Sequence, residues 1–173
     1  MCWFITAAIP GQSAAAIRNA ARGCPARVSL WPLGDTPTTA LFAPGSACVA
    51  VIRGNCSCDL ADFDRSRAQL DVERERARLA RRGWSAARIE RVVAEKMESA
   101  ARQRGHSRAD TVTGFRQMVA QAAREAGSVQ LFAHFHQGEP GIEAVDARAA
   151  TVMPLAQFER DGFPPDTLVT VRA

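Results

Sequence analysis

Apolar and polar positions alternate from the first residues onward. Trp3, Ile5, Ala7 and Ile9 fall on one face of an extended segment and Cys2, Phe4, Thr6 and Ala8 on the other, which predicts a strand ended by Pro10-Gly11. Ser13 is placed to cap a helix running through Ile17 to Arg22 and closed by Gly23. Ala26 to Trp31 reads as a second strand and Ala40 to Phe42 as a short one. The apolar run Ala47 to Ile52 reads as a buried strand, and Gly54-Asn55 after it as a turn, since both residues tolerate positive φ.

Past Cys58 the period of the pattern changes from 2 to 3.6. Phe63, Leu70 and Ala77 form a narrow stripe on a highly charged helix, and Gly83 followed by Ser85 predicts a helical hairpin bend. The next helix carries Ile89, Val92, Val93, Met97, Ala100 and Ala101 on one face, and Gly105 ends it. Ser107 to Asp110 resembles a capping box, opening a third helix with Phe115, Met118, Val119, Ala122, Ala123 and Ala126 on one face and Gly127 at its end. Val129 to His136 alternates again, Gly138 to Gly141 predicts a turn, Val145 to Met153 a strand, Pro154 to Arg160 a short helix, and Leu168 to Arg172 a last strand.

Strands at both ends of the chain around one helical block predict an α+β protein with a mixed or mostly antiparallel sheet. The strand-helix-strand start is compatible with a ferredoxin-like core. On this reading residues 1–173 are a single domain, with 60–127 as a three-helix insertion. Trp84 at the hairpin bend is either a plug against the sheet or an oligomer surface; the plug is the simpler reading.

Composition changes this picture little. Of 173 residues, 47% are hydrophobic and 23% charged, as in an ordinary globular protein. No apolar stretch approaches the roughly 20 residues a membrane-spanning helix needs. The apolar start lacks a basic flank and reads as a strand rather than a secretion signal. Five cysteines without such a signal point to the cytoplasm and to free or metal-bound thiols.

Charge is uneven. Residues 65–124 hold 15 basic and 7 acidic side chains, so the helical block is basic and the remainder mildly acidic. Arg74, Arg78, Arg81, Arg82, Arg88 and Arg91, with Arg102, Arg104 and Arg108, are candidates for a phosphate-binding face on nucleic acid. Interleaved Glu73, Glu75, Glu90, Glu95 and Glu98 equally suit pairs on a solvated helix.

The sharpest chemistry is sulfur and imidazole. Cys56 and Cys58 sit in a turn, Cys2 starts the first strand, and His134 and His136 share one face of a late strand. Such donors suit tetrahedral zinc, bound by Cys and His at about 2.0–2.3 Å. The expected ligands are Cys2, Cys56, Cys58 and His134, with His136 in reserve. The plain alternative is that the cysteines are small packed hydrophobes. Another is catalytic: Cys2, exposed by loss of Met1, has an adjacent amine as base, or Cys58 pairs with His134, giving a thiol-dependent hydrolase. No phosphate loop, G-x-S-x-G or H-E-x-x-H is present.

The opening Met1 to Ala7, the stretch Pro44-Gly45 through Cys58, and Arg82-Gly83-Trp84-Ser85 followed by Ile89 resemble a group of small bacterial proteins without an assigned activity. Its members begin Met-Cys-Thr-x-Ile-Thr-Ala and carry Gly-His-Cys-Asp-Cys-Gly. Here Asn55 stands where that group has His, and Ser57 and Asp59 where it has Asp and Gly. If that His serves as a ligand or base there, the role is either lost here or taken over by His134 or His136. The expected function is a non-catalytic binding or regulatory module with a cysteine/histidine site, stabilised by zinc and acting on a protein partner or a second copy. The thiol hydrolase and the nucleic-acid binder are the alternatives.

Overall fold

The structure is a computed structural model that describes residues 2–61, 63, 72–104, 107–136 and 142–173; the side chains of 73–75, 96, 98–104, 107 and 108 are outside that description. Leu70, Gly105 and the turn expected over 138–141 therefore lie outside the described residues, as do the side chains of Arg74, Arg102, Arg104 and Arg108.

In chain order the elements are β1 (Cys2–Ala8), α1 (Ala15–Arg22), β2 (Ser29–Pro32), a 3-10 turn at Thr39–Leu41, β3 (Val49–Ile52), α2 (Val72–Arg81), α3 (Ala86–Arg104), α4 (Ser107–Ala126), β4 (Ser128–His136), β5 (Ala149–Pro154), α5 (Leu155–Asp161) and β6 (Thr167–Arg172). The six strands form one mixed sheet in the order β2-β3-β1-β4-β6-β5. All neighbours are antiparallel except β5 and β6. The first four strands, with α1 after β1 and α4 before β4, have the split βαββαβ connectivity of a ferredoxin-like core. β6 and β5 extend that sheet beyond β4.

The alternation along β1 decides which face is buried. Trp3, Ile5 and Ala7 join Val49 and Val51 of β3, Val129, Leu131 and Ala133 of β4, and the apolar faces of α1 and α4 in the principal core. The opposite face carries Cys2, Phe4, Thr6 and Ala8 beside His136, His134, Phe132 and Gln130, their register partners on β4. It is covered in part by a smaller cluster in which Phe42, Cys48 and Val145 pack on Ala8 and Phe132.

The chain divides into two compact units, one of residues 1–63 with 109–173 and one of 64–108. From Ala109 onward α4 belongs to the sheet unit, because Phe115, Met118, Val119, Ala122 and Ala123 are core residues of the sheet. The separate unit is thus narrower than the 60–127 block expected. Within it, Gly83 adopts a φ of +75° after α2, where a side chain would be strained. Within that unit Trp84 packs against the hairpin's own cluster of Leu79, Ile89 and Val93.

Four local expectations need correction. The strand expected from Val145 starts at Ala149. Residues 40–42 are not a strand: Thr36 N–H donates to Thr39 Oγ1 (2.9 Å) and Thr39 N–H to Thr36 Oγ1 (3.2 Å), and this reciprocal box holds a tight turn. The second strand starts at Ser29, not Ala26, because Arg27 turns the chain with a φ of +50°. The cap of α1 is Ala14, and no side chain bonds there.

Candidate metal centre

The candidate centre lies where β1 begins, β4 ends and the chain leaves β3. Arg53 N–H donates to the Cys56 carbonyl at 2.8 Å, closing a two-residue turn over Gly54 and Asn55. Gly54 has a φ of +68° and Asn55 does not enter the positive range, so the first central position alone demands glycine. The turn sends residues 56–58 back along the start of β1.

Ser57 then ties this segment down. Its N–H donates to the Trp3 carbonyl at 2.9 Å. Its hydroxyl accepts from Ile5 N–H (2.8 Å) and donates to the Val51 carbonyl (2.6 Å). Ile5 and Val51 are register partners across β1 and β3, so the hydroxyl is inserted into the ladder as a relay between them. Ser57 is fully buried. The cysteines on either side of it remain partly exposed, and Trp3 N–H points at Cys58 Sγ, 3.4 Å away.

The Sγ atoms of Cys2, Cys56 and Cys58 all lie within 4.8 Å of one another. Burial raises the Cys58 thiol to about 12, against the pull of the Trp3 N–H, and Cys56 and Cys2 add to the rise. Burial also raises the Cys2 thiol, with Cys56 contributing and the chain's amino terminus opposing. Placing several thiolates this close without a cation is costly, because each repels the next. The other two cysteines are packing residues: Cys24 is buried with its thiol toward the Gly114 carbonyl (3.3 Å), and Cys48 is buried in the smaller cluster.

The imidazoles form a second group. One donor atom each from His134, His136 and Glu143 lie within 4.8 Å of one another, and this set contains no sulfur. Among the described residues, then, the expected four-ligand set of Cys2, Cys56, Cys58 and His134 does not come together: the three sulfurs form one group and His134 belongs to the other. The reason is geometric. Cys2 and His136 are cross-strand partners, but Cys56 and Cys58 come to Cys2 from the β3 side of β1, whereas β4 lies on its other side.

Each imidazole has its own carboxylate. His134 Nδ1 is 2.7 Å from Asp166 Oδ1, and His136 Nδ1 is 3.2 Å from Glu143 Oε2. Burial, then the neighbouring His134, lowers the His136 pKa, with Glu143 opposing. Asp166 is buried and has a φ of +53°. Its N–H donates to the Ala133 carbonyl (2.8 Å), its carbonyl accepts from Arg148 N–H (2.7 Å), and Arg148 lies 3.3 Å from its second carboxylate oxygen. The two rings stand 4.8 Å apart and nearly perpendicular, with Phe4 edge-on to His136 and Phe132 stacked on His134.

Sequence reading missed Glu143 and Asp166. Glu143 follows the strand by only a few residues, and an acidic side chain just past a His-x-His strand is a usable signal. Asp166 carries none, being brought in by the β4–β6 pairing.

The arginines of the helical unit whose side chains are described sit on α2 and α3, with Arg82 just past the end of α2. Arg81, Arg82, Arg88 and Arg91 are exposed and Arg78 is half-buried. Arg88 stacks over the Trp84 ring at 4.0 Å, and Arg76 binds Glu90 through two contacts of 2.8 Å. No helix among the described residues is long and apolar enough to cross a membrane. No protein-family model matches the chain, and no curated protein or solved structure does either.

Proposed function

We propose that the chain is a metal-dependent binding module whose three-thiol centre, Cys2, Cys56 and Cys58, takes up a thiophilic ion, with zinc the first candidate. The observation that carries this reading is the mutual 4.8 Å limit on three sulfurs whose backbone is fixed by Ser57. A tetrahedral zinc with bonds of about 2.3 Å holds its sulfurs about 3.8 Å apart, so the trio needs to close by at most about 1 Å. The Trp3 N–H directed at Cys58 is the kind of outer hydrogen bond that supports a bound thiolate.

Three thiolates leave the fourth tetrahedral position to water, to a partner's side chain or to a bound molecule. That suits a module which holds or senses something through the ion. A thiol hydrolase that pairs Cys58 with an imidazole is less well supported, since among the described residues no imidazole joins the sulfur group. Reduced cysteines and a soft ion fit the cytoplasm.

Metal content of the protein purified without added metal tests the reading. Native mass spectrometry should show bound metal that denaturation removes, and Cys56→Ser or Cys58→Ser should each carry one ion fewer than the parent. A protein whose zinc uptake is the same in the parent, Cys56→Ser and Cys58→Ser would refute the proposal.

A further inference from the structure

We propose that His134, His136 and Glu143 form a second, sulfur-free site for a divalent transition ion, with Asp166 as the residue that orients His134. The inference stands on different residues from the thiol centre and does not need that centre to be correct.

Four observations carry it. The two histidines are two apart on β4, so the strand places both rings on the sheet face away from α1 and α4. One donor atom from each of the three side chains falls within 4.8 Å of the others. The 3.2 Å between His136 Nδ1 and Glu143 Oε2 matches two donors sharing one ion, since bonds of about 2.1 Å put adjacent ligands about 3.0–3.4 Å apart. An ion would take the place of the proton that the pair now shares. Finally, His134 Nδ1 lies 2.7 Å from Asp166 Oδ1, and because a carboxylate can only accept, the ring bound to it carries its proton on Nδ1 and offers Nε2 as the ligand atom. A buried carboxylate behind a ligating imidazole fixes its tautomer and raises its basicity.

The donor set defines the ion. Two imidazoles and one carboxylate suit zinc, iron(II), cobalt(II) or nickel(II), whereas thiolates select zinc or softer ions such as copper(I). Three protein ligands leave open positions for water or a small anionic or carbonyl-bearing molecule.

Cobalt(II) separates the two sites, because sulfur ligation gives a thiolate-to-cobalt charge-transfer band and nitrogen and oxygen ligation do not. The full chain titrated with cobalt(II) is expected to bind one equivalent that carries no charge transfer. Glu143→Gln and His134→Gln should remove that equivalent and leave any charge-transfer band unchanged. Asp166→Asn keeps a residue type that tolerates positive φ and should weaken it about 10–100-fold. Cys56→Ser should leave it intact. If Glu143→Gln and His134→Gln, with wild-type circular dichroism, bind cobalt(II) as the parent does, the proposal is wrong. It is equally wrong if every bound equivalent disappears with Cys56→Ser. Failure of the thiol reading looks different: the charge-transfer band is then absent from the wild-type protein while the sulfur-free equivalent remains.

Discussion

Replacing Ser57 by Ala tests the way the thiol loop is fastened to the sheet. The hydroxyl stands between Ile5 N–H at 2.8 Å and the Val51 carbonyl at 2.6 Å, in a fully buried position. Its removal leaves one backbone donor and one backbone acceptor without partners, at about 1–3 kcal/mol each. Ile5 and Val51 are register partners and can recover part of this by approaching, so the net loss is set at about 2–4 kcal/mol. For a chain of this size that is a fall in melting temperature of roughly 4–16 °C. Urea denaturation of Ser57→Ala beside wild type measures it, with zinc binding followed in the same samples. Zinc affinity should fall as well, because Ser57 anchors the segment that carries Cys56 and Cys58. A variant that unfolds within about 0.5 kcal/mol of wild type would show that the relay bears no load and that the sulfurs are placed by something else.

Other expectations follow from single contacts. Gly114→Ala should destabilise by about 1–3 kcal/mol, since the new Cβ would meet the Ala26 backbone nitrogen at 2.9 Å and Ala26 Cβ at 3.2 Å; thermal denaturation reads the loss, and an unchanged midpoint would contradict the α4 packing. Zinc binding should strengthen with pH. The Cys2 and Cys58 thiols are raised above their ordinary range and must each give up a proton to become ligands, so between pH 6 and 8 the affinity should climb by about 10²-fold per pH unit from these two groups. Competition against a chelator at several pH values measures the slope, and a flat profile would exclude both thiols from the ligand set.

Much of the fold was legible because its signals are local. The alternation of Trp3, Ile5 and Ala7 against Cys2, Phe4 and Thr6 placed β1 and its faces correctly, and the period of Phe115, Met118, Val119, Ala122 and Ala123 identified α4. The ferredoxin-like connectivity was within reach once strands were seen on both sides of the helical block. What could not be read was what depends on pairing between distant residues. The parallel β5–β6 edge and the Thr36–Thr39 box leave no periodic trace.

The site divides in the same way. That Cys56 and Cys58 lie together followed from a turn after a strand, and that His134 and His136 share a face followed from their spacing, whereas Cys2 joins the first pair only because β1 lies beside β3. Whether the two sets meet each other depends on which side of β1 each neighbour lies. Strand order decides that, and strand order is not written in spacing.

The two imidazoles differ in how freely their surroundings can change. The partner of His134 is clamped at its peptide by Ala133 and Arg148 and sits in a left-handed backbone conformation, so altering it disturbs the junction between two strands as well as a ring. The partner of His136 is a half-buried side chain reaching in over a longer bond. Variation at position 143 changes the carboxylate beside one histidine, whereas variation at position 166 also reaches a peptide bonded to both Ala133 and Arg148.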